Sequence, residues 1–97
     1  MAKKSTRNKA AAPTAAFKML SDPNRYQAIK LLAGSKKGLL VGDIAETLGM
    51  GQSATSHLLG LLYRDDIVAF KKDGRTVRYM LASSSAARAL LRIMRAA

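Results

Sequence analysis

Residues 43 to 81 constrain the fold most, because two short helical patterns flank Gly49-Met50-Gly51 and then give way to two strand-like runs joined by a basic turn. Val41, Ile44, Ala45 and Leu48 share one helical face, and Gly49 stands where a left-handed residue would end that helix. Asp43 and Glu46 lie on its polar side, in early turns where acids offset the helix dipole. Helical period resumes over 52 to 64 through Thr55, Leu58, Leu59 and Leu62, leaving Gln52, Ser53, Ser56, His57 and Gly60 on the opposite side. Residues 67 to 70 and 76 to 81 are β-prone, and Lys72-Asp73-Gly74-Arg75 predicts the turn between them, since Asp-Gly tolerates the positive φ of tight hairpins. Two helices followed by a hairpin is the order of a helix-turn-helix with a wing, a module that offers one helix to the DNA major groove and a charged loop to the backbone.

The flanking segments complete one domain. Pro13-Thr14 can open a helix over 14 to 20, with Phe17 and Leu20 on one face. Asp22-Pro23 is a clearer start, the carboxylate capping free amides and proline occupying a position where its missing donor is harmless. Tyr26, Ile29, Leu32 and Ala33 then form an apolar stripe that ends at Gly34. Ser35 to Gly38 form a loop, and Leu39-Leu40 is a short extended piece that can pair with the hairpin. The last helix is expected over 84 to 95, with Leu90, Leu91, Ile93 and Met94 opposite Arg88, Arg92 and Arg95; so wide an apolar face on a terminal helix calls for a two-fold partner. The fold class is therefore α+β, mainly helical, with a flexible basic arm over 1–12 and the folded domain over 13–97.

Charge points to the partner. Seventeen Lys plus Arg against six Asp plus Glu give a net charge of +11, which favours a polyanion and says nothing about fold. Lys3, Lys4, Arg7 and Lys9 stand in an acid-free N-terminal run that is either a solubilising terminus or an arm touching phosphates. The chain has no cysteine, which removes disulfides, thiolate metal sites and dithiol switching. No apolar run approaches the roughly 18 to 20 residues that span a bilayer, and the N-terminus lacks the apolar stretch of a signal peptide, so a cytoplasmic, nucleoid-associated location without membrane contact is expected.

Gln52 is suited to donate and accept at adenine N6/N7, with Ser53, Ser56 and His57 reaching base edges or phosphates from the same side. Thr55 is counted with these DNA-contacting residues, although its spacing also puts it on the apolar side. A hydroxyl at Ser53 can instead satisfy the helix N-terminus, and His57 can be a solvated surface residue. Lys71, Lys72, Arg75 and Arg78 surround the wing turn and suit phosphate or minor-groove contact, with Arg78 outward and Tyr79 inward on alternate faces of a strand. Arg25 and Lys30 lie on a polar helix side suited to backbone contact; Arg64 is equally suited to pairing with nearby acids. Met50, Met80 and Met94 read as packing residues. Asp65 and Asp66 read as the end of the second helix rather than a catalytic dyad. No nucleophile-base pair, metal cluster or phosphate-cradling glycine loop appears at usable spacing, so no enzyme, cofactor or metal is expected.

The strings LSDPNRYQAIKLL (20 to 32), DIAETLGMGQSATSHLLGLL (43 to 62) and IVAFKKDGRTVRYML (67 to 81) resemble the ArsR/SmtB family of bacterial winged-helix repressors over about residues 14 to 95. The resemblance implies a winged helix-turn-helix with N- and C-terminal dimerisation helices, the recognition helix at about 52–64 and the wing at about 67–81. It further implies a homodimer, joined through Phe17, Leu20, Leu90, Leu91 and Met94, that represses by binding an inverted repeat in double-stranded promoter DNA. Metal sensors of that family carry a Cys-x-Cys-Asp pattern before and within the first helix of the motif; the matching cysteine positions here are Leu40 and Gly42, and only Asp43 remains. Their second metal site uses Asp and His near the last strand and helix, and neither residue occurs from Gly74 onward. Further departures are Ala54, Thr55, Leu58 and Gly60. An inducer, if one acts, is an unidentified small molecule, a protein partner or a metal held by an atypical site. The alternatives are a nonspecific or architectural DNA-binding protein, for which the charge alone suffices, and a winged helix used as a protein-interaction module.

Overall fold

The computed structural model describes residues 20–96, so the predicted arm and the predicted 14 to 20 helix, Leu20 apart, lie outside the described residues, as does Phe17. The described elements are α1 (Pro23–Ala33), β1 (Leu39–Leu40), α2 (Val41–Leu48), α3 (Gln52–Arg64), β2 (Val68–Asp73), β3 (Thr76–Leu81) and α4 (Ser85–Ala96). They form a mainly helical α+β winged helix-turn-helix whose antiparallel sheet has the order β1-β3-β2.

Local chemistry accounts for the boundaries. Pro23 opens α1, and the Asn24 N–H donates to the Asp22 carboxylate at 2.9 Å. Helix α2 ends at Gly49 with φ 68°, where the Gly49 N–H donates to the Glu46 carbonyl at 3.2 Å and the Met50 N–H to Ala45 at 3.0 Å. That is the paired pattern of a Schellman termination. The same pattern closes α3 without a glycine: Asp66 holds φ 65°, its N–H donates to Tyr63 at 3.0 Å, and the Ile67 N–H donates to Leu62 at 2.9 Å. Asp65-Asp66 thus ends the helix, as the sequence predicts, and the chain turns directly into the wing.

The core gathers Ile29 and Leu32 of α1, Ile44 of α2, Leu58, Leu59 and Leu62 of α3, Ile67 and Val68 at the base of the wing, and Leu90 of α4. Each such side chain contributes about 1.5–3 kcal/mol on leaving water. Met50 and Met94 pack against this cluster, as expected of packing residues.

Three expectations change. Ala33 is exposed, and Ala28 occupies the buried face of α1 in its place. The hairpin turn sits one residue later than predicted, because Asp73 pairs with Thr76 and leaves Gly74-Arg75 as the loop. Positive φ is needed only at the first central position, where Gly74 supplies it at 63°, and the Thr76 hydroxyl donates to the Asp73 carbonyl at 2.8 Å. Leu90, expected at a dimer interface, is 3% exposed and consumed by the domain's own core.

Candidate nucleic-acid interface

Helix α3 separates an inner from an outer face. Thr55, Leu58, Leu59 and Leu62 are buried, while Gln52, Ser53, Ser56, His57, Gly60 and Arg64 are exposed. Ser53, His57, Gly60 and Arg64 follow i, i+4, i+7, i+11 spacing and so run along the centre of the outer face. The helix carries no carboxylate from Gln52 to Arg64, so nothing on it repels a phosphate. Gln52 lies at the N-terminal edge, where its side-chain amide nitrogen is 3.7 Å from the point a Cβ on Gly42 would occupy. Gly51 is the N-cap and makes no side-chain cap bond, which leaves first-turn amides without a side-chain partner at the end nearest Gln52 and Ser53.

Thr55 does not belong with these residues. It is 0% exposed and its hydroxyl donates to the Gly51 carbonyl at 2.8 Å, so the apolar side of its helical spacing prevails and its assignment to DNA contact is corrected.

The strand register sorts the wing cations. Lys71 lies directly opposite Arg78, and Lys72 opposite Val77, so Lys71 and Arg78 share one face while Lys72 points to the other. Arg75 stands in the two-residue loop at the tip. All four are exposed and none forms an ion pair among the described residues, where the ion pair present is Arg25 to Asp22 at 3.9 Å. Arg25 therefore braces its own helix cap, and Arg64, equally suited to pairing with acids, does not do so. Tyr79 turns inward against the core beside outward Arg78, as alternation predicts.

Sequence reasoning missed the means by which wing and helix are joined. Tyr63 at the end of α3 meets Phe70 of β2 with ring centroids 5.1 Å apart, and Phe70 meets Tyr79 of β3 at 5.9 Å. Tyr63 and Phe70 remain 52% and 46% exposed, so the rings form a bridge on the surface. Only the register Phe70↔Tyr79 reveals it. At the other end of the wing, the Ala82 N–H donates to Ile67 at 2.9 Å, the Ser84 hydroxyl donates to the Asp66 carbonyl at 2.6 Å, and the same hydroxyl accepts from the Ala87 N–H at 3.0 Å. Helix α4 is thereby tied to the end of α3. On α4, Leu91, Ile93 and Met94 are half-buried, with Ile93 and Met94 against the core.

Among the described residues no helix is long and apolar enough to cross a membrane. None of their His, Asp or Glu side chains gather in threes that could hold a metal ion, and the chain has no cysteine and one histidine. The donor set of the metal-sensing pattern therefore does not fit this chain.

Residues 22–69 match the family described as bacterial regulatory protein, arsR family. The chain is 35% identical over 68 residues to a transcriptional repressor SmtB homolog of Synechocystis, a match covering 70% of this chain and half of that protein. It is 32% identical over 65 residues to the transcriptional repressor SdpR of Bacillus subtilis, covering 67% of this chain and 70% of that protein. Among solved structures, the homodimeric winged helix-turn-helix DNA-binding domain of a possible ArsR-family regulator from Mycobacterium bovis superposes with a TM-score of 0.74 at 26% identity, covering 99% of this chain and 89% of that one.

Proposed function

The chain belongs to the arsR family of bacterial regulatory proteins, and from that premise we propose that it is a homodimeric repressor that recognises an inverted repeat in promoter DNA. The observation that carries this reading is the acid-free outer face of α3 set beside a wing whose four cations form no ion pair among the described residues. In the dimer, two copies of residues 52 to 60 enter successive major grooves about 34–36 Å apart on one side of the duplex. Gln52 pairs with an adenine edge, Ser53, Ser56 and His57 reach bases or phosphates, and Lys71, Lys72, Arg75 and Arg78 hold the backbone, giving register and salt sensitivity.

Homodimerisation is supported by the half-buried apolar residues Leu91 and Met94 of α4 and by Leu20, half-buried ahead of α1. The Mycobacterium bovis relative is described as homodimeric, and the Synechocystis and Bacillus relatives as repressors. Occupancy of a promoter by such a dimer obstructs polymerase at a nearby gene. The site of action is the nucleoid, in the cytoplasm.

The test is an anisotropy titration comparing a palindromic promoter duplex with a random duplex of equal length at one salt concentration. A specific repressor binds the first at least about 10³-fold more tightly. Equal affinities would leave a nonspecific or architectural binder, for which the charge of +11 suffices. No binding to either duplex at low salt would leave a protein-interaction module.

A further inference from the structure

A groove of about 860 Å³, within the range of small-molecule sites, runs between α1, the loop that follows it, β1 and the end of α2. Its apolar lining comes from Leu31, Leu39 and Leu48, each half-buried and packed on the core. Its charged lining is Lys30, Lys36 and Lys37, with no Asp or Glu anywhere along it. Lys30 stands in the last turn of α1 and the other two in the loop that follows. None of the three forms an ion pair among the described residues.

We propose that this groove binds a small amphipathic organic acid, its apolar body against the three leucines and its carboxylate among the three lysines, and that such a ligand is an effector of DNA binding. Position supports the second half. Leu48 is the last residue of α2, one residue before the Gly49 termination that sets the direction into α3, and Leu39 is paired with Tyr79 in the wing. A body wedged between Leu48 and Leu39 therefore bears on the recognition helix and the wing together, and any difference in its affinity for the free and DNA-bound forms appears equally as a difference in DNA affinity. The coupling rests on the DNA-reading assignment of α3; the binding of the acid does not.

The experiment uses the full chain labelled with ¹⁵N and the probe decanoate, with acetate and decyltrimethylammonium as controls. Saturable shifts at the amides of Lys36, Lys37, Leu39 and Leu48 are expected for decanoate and for neither control. A Lys30→Gln/Lys36→Gln/Lys37→Gln variant should bind decanoate about tenfold more weakly, since three exposed ion-pair partners together account for on the order of 1.4 kcal/mol, whereas Lys71→Gln/Lys72→Gln should leave it unchanged. Shifts centred on α4, equal response to the cationic amphiphile, or undiminished binding by the groove variant each overturn the site. Decanoate added to a complex with a selected duplex should weaken DNA binding by the wild type and not by the groove variant; a complex indifferent to saturating decanoate overturns the effector role. Failure to bind any duplex instead overturns the DNA reading, and the spectra still decide the groove.

Discussion

Lys71→Gln should act with opposite sign on the free protein and on its DNA complex. Lys71 and Arg78 are directly opposed on one exposed face of the wing, in the position where cross-strand side chains interact most, and neither forms an ion pair among the described residues. Like charges so placed destabilise a strand pair by about 0.2–1 kcal/mol. Removing one should therefore raise the unfolding free energy by a few tenths of a kcal/mol at low salt. The gain should vanish near 1 M salt, where the screening length falls to about 3 Å. Lys72→Gln is the internal control, because Lys72 faces Val77 and has no such repulsion to relieve. In the proposed DNA complex the pair becomes an asset, each cation meeting a phosphate of its own. Losing a phosphate contact in each of two wings lowers the slope of log affinity against log salt by about 1.8, so between about 50 and 200 mM salt the variant should lose about tenfold less affinity than the wild type. Urea unfolding at several salt concentrations gives the first quantity and a salt series of anisotropy titrations the second. A variant that is less stable at low salt would refute the Lys71–Arg78 repulsion, and one whose salt slope matches the wild type would show that Lys71 does not meet the backbone.

Other substitutions probe the parts that position this interface. Gly60 lies mid-helix on the outer face of α3 with nothing within 4 Å of an added Cβ, so Gly60→Ala should stabilise by about 0.4–1 kcal/mol, read as a rise of a few degrees in Tm at fixed protein concentration. Gly38→Ala should do the reverse by about 1–3 kcal/mol, because Gly38 has φ 86° and an added Cβ would meet the Tyr79 carbonyl oxygen and Met80 Cε at 3.0 Å; hydrogen exchange at the β1–β3 pairing should accelerate. Ser84→Ala removes both the cap on the Ala87 N–H and the bond to Asp66, and should cost about 1–2 kcal/mol in urea unfolding.

Helix α3 was legible in the sequence because the apolar period and missing carboxylates of its thirteen residues agree with the Gly49 and Asp65-Asp66 boundaries on either side. Local signals of that kind read directly. Thr55 shows where they fail, since a threonine satisfies a polar and an apolar reading alike, and only the bond to Gly51 and complete burial decide between them. Leu90 failed for a related reason: four apolar residues on α4 were divided between one chain and a partner without knowledge of which side the core would use. The turn moved by one residue because Asp-Gly supports two hairpin frames, and that single step sets Lys71 instead of Ala69 opposite Arg78. The groove lysines had no sequence signature, since Lys30, Lys36 and Lys37 converge only when α1 is laid against α2.

The two ends of the reading helix are held by unlike means, and this bears on how it can be moved. At its start Gly51 offers no side-chain cap, and the preceding turn is anchored by the backbone bonds of Gly49 and Met50. At its end Asp66 accepts a left-handed conformation that costs a non-glycine residue about 1–2 kcal/mol, and the Ser84 hydroxyl fastens that residue's carbonyl to the start of α4. In the proposed dimer, a shift of α4 against a second subunit would reach the C-terminal end of α3 through this hydroxyl, which also caps α4, and through Leu90 in the shared core. A ligand beside Leu48 acts at the opposite, N-terminal end, where Gln52 and Ser53 stand. On the proposed reading, subunit contact and ligand address different ends of the same thirteen-residue helix, and a change at either end would alter the angle at which its outer face meets the major groove.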